Sequence, residues 1–241
     1  MSAAGTSIIA IVLPPVQIIA VPSLALSDLQ QGFIADGFEC NLNYAGGLTD
    51  SAIVGNDVNY LTHLSSGLKP VARSKSSRWK RCWRASVDGW AASTFHSGCD
   101  NKGPTITIIR VGGKYIFGGC TSLSWGGYSG HYRTDSQAFL FSLVNKPGWA
   151  PVKLPQTMGR YSSYGHSIYE CSSCGPTFGG GHDIYIANYA SSNSNSAAYL
   201  GYAYSPPSGY NYGGTFTYTF LAGGSSYNFT PDEVETFYET T

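Results

Sequence analysis

Charge is scarce in this 241-residue chain. Asp, Glu, Lys and Arg make up 12% of it, and the 14 acidic residues match the 14 basic ones. A typical soluble domain carries about twice that share. A zero net charge removes the global electrostatic case for nucleic acid, and equally for an acidic substrate. No period of roughly 20–50 residues recurs, so the chain is no solenoid or propeller. The apolar stretch Ile8–Leu26 is broken by Pro14-Pro15 and Gln17, which argues against a membrane span. No Gly-x-Ser-x-Gly elbow is present, and no Lys-Ser or Lys-Thr follows the glycine-rich string, which removes the P-loop reading. Only one Cys-x-x-Cys occurs, so a four-cysteine zinc site has no second half.

What is present is a chain built on Gly, Ser, Thr, Asn and Tyr. Apolar residues reach 42%, enough for a sizeable core, and 30 glycines with 18 tyrosines point to many turns and half-buried strand positions. The length suits one domain, or one domain with an extension. Residues 1–26 read as an apolar segment and candidate signal peptide, with small residues at Ser23-Leu24-Ala25 for cleavage. No Lys or Arg precedes that run, so an ordinary apolar arm is the competing reading. The six cysteines are Cys40, Cys82, Cys99, Cys120, Cys171 and Cys174. An even count fits a disulfide framework of open pairing in an oxidising compartment; reduced buried thiols are the alternative. Cys171 and Cys174 read as a structural disulfide rather than a redox centre.

Residues 27–78 read as a helical extension and basic linker packed on the domain. Ser27-Asp28-Leu29 starts one helix. A second is expected from Asn56, with Val58, Leu61, Leu64 and Leu68 on one face. The run Arg73 to Arg84 is basic and reads as a solvated connection. From residue 79 to 241 the pattern turns to strands. Trp90 to Cys99 is a short helix. Thr105–Arg110 and Lys114–Phe117 flank Gly112-Gly113 as a hairpin. Ala138–Leu143 suits a strand buried on both faces. Ser167–Glu170, Ile184–Ile186, Thr215–Leu221 and Val234–Tyr238 complete the expected strands. The fold class is α+β, mainly β: a two-sheet antiparallel β-sandwich flanked by short helices.

The most specific string is Gly175-Pro176-Thr177-Phe178-Gly179-Gly180-Gly181-His182-Asp183-Ile184-Tyr185-Ile186. Gly179, Gly180 and Gly181 permit positive φ and close backbone approach, as in an anion nest or a tight crossing between packed strands. Arg84–Trp90, Phe95-His96, Cys99–Thr105, Tyr115–Gly119 and Ala138–Leu143 precede it, and Phe220–Gly223 and Val234–Phe237 follow. In this order the blocks resemble the TLDc domain family, over about two-thirds of the chain. Within the family, the chain looks more like the Cys-containing, Ser/Tyr-rich versions of simple animals than like the intracellular members. The resemblance implies a β-sandwich with short helices. It also implies protection from oxidative stress and, in some intracellular members, binding of the vacuolar proton pump. It brings no established catalytic residues, and no cofactor or metal is expected.

A candidate functional cluster is Asp88, His96, Asp100, His182, Asp183, Glu233 and Glu235. His and carboxylates together can bind a cation or move a proton. Their spacing fits no zinc pattern. The bland readings are a core histidine at 96, turn capping by Asp88 and Asp100, and an exposed face for Glu233 and Glu235. The expected function is a non-catalytic binding domain, secreted, engaging a protein or glycan through loops that carry Tyr161, Tyr164, Tyr202, Tyr204, Tyr210 and Tyr212. The alternatives are a cytoplasmic oxidative-stress protein on the proton pump, and an enzyme or metal site built on the His/Asp cluster.

Overall fold

The computed structural model describes residues 44–127, 130–157 and 166–240. Cys40, Tyr161, Tyr164, the apolar segment and the helix expected from Ser27 lie outside them. Helix α1 (Val58–Leu68) begins two residues after the expected Asn56, because the Asp57 carboxylate caps it by accepting the Tyr60 N–H at 3.0 Å. Strand β1 (Arg78–Arg84) runs into the short helices α2 (Ala85–Asp88) and α3 (Ala92–Cys99). Strands β2 (Thr105–Val111) and β3 (Tyr115–Thr121) form the expected hairpin. Its Gly112 and Gly113 adopt φ 61° and 64°, the two successive left-handed conformations that a type I′ turn requires. There follow β4 (His131–Arg133), β5 (Phe139–Val144), β6 (Val152–Pro155), β7 (Ile168–Glu170), β8 (Thr177–Phe178), β9 (Ile184–Tyr185), β10 (Ser196–Ala197), α4 (Thr215–Thr219), β11 (Asn228–Phe229) and β12 (Glu233–Thr240).

The strands make two six-stranded sheets with the orders β1-β12-β2-β3-β5-β6 and β11-β10-β9-β8-β7-β4. Neighbours pair antiparallel throughout, as in β12 on β2 and β7 on β8. The mainly-β sandwich implied by the sequence is therefore the observed architecture. Between the sheets lie Ile109, Phe117, Leu140 and Val234 from the first, and Ile168, Phe178 and Ile184 from the second. The first sheet is covered on its other face too. There Leu48, Leu61, Leu64 and Leu68 meet Ile106, Ile108, Phe139, Phe141 and Phe237. Double coverage explains why β5 reads as a nearly continuous apolar run rather than an alternating one. Each leucine buried under α1 contributes about 2 kcal/mol. Among the described residues no helix is long and apolar enough to cross a membrane.

The basic run is not a connection throughout. Residues 78–84 form β1, an edge strand on β12. Its register shifts between Arg81 and Trp83. Without that bulge, Trp79 and Trp83 would share a face, being four residues apart. With it, Trp79 enters the layer beneath α1 and Trp83 enters the sandwich. Cationic side chains between the two tryptophans hide this alternation in the sequence; on an edge strand they also discourage pairing with another chain. A Cys82–Cys99 disulfide ties β1 to α3, with Cα atoms 5.2 Å apart.

Residues 215–219 form helix α4, not the expected strand. Thr-Phe-Thr-Tyr-Thr-Phe has period two, yet Phe216 and Phe220, four apart, pack together at 5.3 Å and both contact Trp149. Aromatic contacts at helical spacing outweigh strand propensity here.

Candidate functional site

Strand alternation builds one face of the second sheet into an aromatic strip. In β7, Ile168 and Glu170 are buried while Tyr169 points outward, partly exposed. Tyr132 of β4 pairs directly with it, with ring centroids 4.7 Å apart. His166 lies 4.2 Å from Tyr132 on one side. On the other, His182 lies 5.3 Å from Tyr169 and stacks on Tyr185 at 5.3 Å and 15°. The strip thus runs through Tyr132, His166, Tyr169, His182 and Tyr185. Burial lowers the His182 pKa, favouring the neutral ring. Burial also raises the Tyr132 phenol, with Tyr169 and Tyr202 adding to the effect.

The glycine string holds this strip in place. The Tyr132 hydroxyl donates to the Gly180 carbonyl at 2.8 Å. A Cβ on Gly180 would meet His166 Nδ1 at 2.8 Å, and one on Gly181 would meet the Tyr202 ring at 2.6 Å. Gly179, at φ 87°, leaves its Cβ position to the Asp183 carboxylate. That carboxylate is fully buried. It accepts backbone N–H groups from Gly201 at 2.8 Å, Tyr202 at 3.0 Å, Ala203 at 2.9 Å and Tyr204 at 3.3 Å. A nest of N–H groups therefore exists, but residues 201–204 supply it and Asp183 fills it. Burial pushes Asp183 up to about 7, against the opposing pull of those four donors. Tyr204 is core rather than loop surface: it is buried, and its hydroxyl donates to the Ser167 carbonyl at 2.7 Å.

Beside the strip opens a cleft of about 480 Å³, lined by Asn101, Ser124, Trp125, Gly126, Gly127, His131, Tyr132, Arg133 and Glu170. Glu170 is buried at its floor. Its carboxylate accepts the N–H groups of Gly126 at 3.2 Å and Gly127 at 2.9 Å, and Arg133 Nη1 at 2.8 Å. The Arg133–Glu170 pair escaped sequence reasoning. The residues lie 37 apart, and neither belongs to a motif block. The available signal was a carboxylate on the inward parity of a short strand, which demands a partner.

The predicted cluster divides into three groups. His182 and Asp183 sit at the glycine string. His96 Nδ1 lies 2.9 Å from an Asp100 carboxylate oxygen, and its Nε2 faces the carbonyls of Cys171 at 2.9 Å and Cys174 at 3.1 Å. His96 thus clamps α3 to the loop of the Cys171–Cys174 pair, whose Cα atoms are 5.4 Å apart. Asp88, Glu233 and Glu235 gather around Arg84. Asp88 accepts the Arg84 N–H at 2.7 Å, while the Arg84 side chain pairs with Glu233 at 2.9 Å and Glu235 at 3.7 Å. Glu233 and Glu235 are buried, not exposed as expected, because β12 is an interior strand of a sheet covered on both faces. Glu235 also accepts Ser51 Oγ at 2.5 Å and the Ala52 N–H at 3.1 Å. Burial raises the Glu233 carboxyl, but hydrogen bonds from Ser86 and Arg84 outweigh it, and the net shift is downward. Among the described residues no group of His, Cys, Asp and Glu is arranged to hold a metal ion. Cys120 is buried in the layer beneath α1, and burial raises its thiol well above the ordinary range.

A family model for the TLDc domain matches residues 50–239. Two relatives share local similarity. The MTOR-associated protein MEAK7 of Mus musculus is 31% identical over 88 residues, 36% of this chain and 18% of that protein. Its counterpart in Danio rerio is 31% identical over 68 residues, 28% of this chain and 15% of that protein. The chain thus spans less than a fifth of the length of the curated relatives it matches.

Proposed function

The chain belongs to the TLDc domain family, and on that premise we propose that it is a non-catalytic interaction domain that docks a protein partner on the aromatic strip of its second sheet. The observation that carries this reading is the contiguity of Tyr132, Tyr169 and Tyr185 on short strands with His166, just before β7, and His182, in the turn before β9. Tyrosine offers large area with a polar tip at low entropic cost, which suits recognition. The glycine string and Asp183 fix the strip before any partner arrives, so little ordering cost falls on binding. The buried carboxylates Asp183, Glu170, Glu233 and Glu235 are each engaged by backbone N–H groups, hydroxyls or arginine, which makes them structural in this reading. The relatives are named for association with MTOR, and that supports a protein partner for this chain.

The Cys82–Cys99 disulfide favours an oxidising compartment, and with it a secreted protein. Flat, half-exposed rings also suit stacking on sugars, so a glycan is the second reading. A glycan array of the parent and of Tyr132→Ala/Tyr169→Ala tests it. Signals lost in the variant support a glycan; no signal in the parent leaves the protein partner. Intact mass with and without reductant tests the compartment. A shortened chain in which Cys82 and Cys99 resist alkylation until reduced supports secretion. A full-length chain with six alkylatable cysteines would place it inside the cell, in the stress-protection role.

A further inference from the structure

Away from the strip, four tyrosines form a second cluster at the surface. Tyr199 follows β10, Tyr212 and Tyr218 lie before and within α4, and Tyr227 precedes β11. The Tyr199 and Tyr218 rings stack at 4.6 Å with planes 16° apart. Their hydroxyls are closer than their centroids, at 2.8 Å. The rings therefore converge towards the hydroxyl ends, where the ortho carbons lie. Tyr227 meets both edge-on, at 5.1 Å from Tyr199 and 5.7 Å from Tyr218. Tyr212 stands perpendicular to Tyr199 at 4.8 Å and is within hydrogen-bonding reach of its hydroxyl. Tyr199 and Tyr218 are partly exposed, and Tyr227 is 40% exposed. A small oxidant or a peroxidase edge can reach them.

We propose that Tyr199 and Tyr218 are a site of oxidative modification, at which hydrogen peroxide acting through a haem peroxidase joins the two rings as an intramolecular dityrosine. Each phenol gives up one electron and its hydroxyl proton. The adjoining hydroxyl provides a ready proton acceptor, which eases that loss. One peroxide takes the two electrons and two protons and becomes two waters. The phenoxyl radicals carry spin on their ortho carbons, and a carbon–carbon bond forms between one ortho carbon of each ring. The ortho hydrogens then move to the oxygens, restoring both phenols. The product is two hydrogens lighter than the parent. Stacking and the hydroxyl contact single out this pair, whereas the rings of Tyr212 and Tyr227 stand edge-on to it. The bond would join residues 19 apart in sequence and tie α4 to the chain after β10. This constrains the Gly/Pro/Tyr loop between them.

The test uses the full chain, treated with hydrogen peroxide and a haem peroxidase at low protein concentration, then digested and mapped by mass spectrometry. The expected result is one cross-linked species, two hydrogens light, joining the peptide with Tyr199 to the peptide with Tyr218. Tyr199→Phe and Tyr218→Phe each lose it; Tyr227→Phe keeps it. These variants retain the ring and the stack, and their urea midpoints confirm folding. The proposal is overturned if no intramolecular cross-link forms. It is also overturned if the bond maps to Tyr227 or joins separate chains only, or if Tyr218→Phe yields the same product.

Discussion

Raising the pH through the weakly acidic range should weaken the fold through Asp183, and Asp183→Asn should abolish that weakening. The carboxyl is fully buried, and burial pushes it from 3.8 to about 7. In the unfolded chain it titrates near its ordinary value of about 3.9. Between the two values the folded chain keeps a proton that the unfolded chain has released. Stability therefore falls as the pH rises, by up to about 1.4 kcal/mol per pH unit and about 4 kcal/mol across the window. Below the window both states are protonated, and above it both are ionised, so the slope vanishes at each end. The neighbouring His182 acts in the opposite sense. Burial lowers it, so below its unfolded value of about 6.5 the unfolded chain takes up the proton first. His182 is present in parent and variant, and its contribution cancels in the difference. Urea unfolding followed by tryptophan fluorescence, in steps from about pH 4 to pH 8, gives the two curves. The parent's stability relative to Asp183→Asn should decline across the window. A constant difference would refute the reasoning. It would mean that the four backbone donors keep the carboxylate ionised throughout.

Removing the disulfide by Cys82→Ser/Cys99→Ser opens a loop with a sequence separation of 17. The loss should be about 3 kcal/mol, read as a lower urea midpoint. Arg133→Ala leaves Glu170 buried with only its two glycine N–H donors, and should cost about 1–3 kcal/mol in the same assay. Gly223→Ala places a methyl group against the Tyr115 ring at φ 75° and should cost about 2 kcal/mol or more; an unchanged midpoint would mean that the ring moves aside freely. Tyr132→Ala/Tyr169→Ala should weaken partner or glycan binding while changing the midpoint far less than Gly223→Ala, because both rings lie partly exposed on an outer face.

The sequence patterns that proved informative were local and two-sided. Gly112-Gly113 between β-branched runs marked the β2–β3 hairpin, and the run at Phe139–Leu143 marked a strand covered on both faces. Val58, Leu61, Leu64 and Leu68 at helical spacing marked α1, while its cap at Asp57 emerged only from the structure. The misreadings arose where side-chain chemistry and backbone state disagree. The cations of β1 masked a strand anchored by two tryptophans on opposite faces, because a bulge breaks the period that the eye follows. The alternating Thr and Phe of α4 imitate a strand. Glu233 and Glu235 share parity on β12, but parity alone does not say that both faces of that strand are covered. The glycine string was visible as a close approach, and its own neighbour Asp183 turned out to occupy the nest. The aromatic strip was least legible. It is assembled from β4, β7 and the turn before β9, which only sheet pairing brings together.

The central claim is that a partner rests on the strip. The most direct measurement is site-specific photocross-linking in the protein's native setting, with a photoreactive residue at Tyr132, at Tyr185, or at Val87. Val87 is 64% exposed in α2, beside the first sheet. The account predicts adducts of the same discrete mass from positions 132 and 185 and none from 87. Adducts at 87 alone, or equal yields at all three positions, would contradict it.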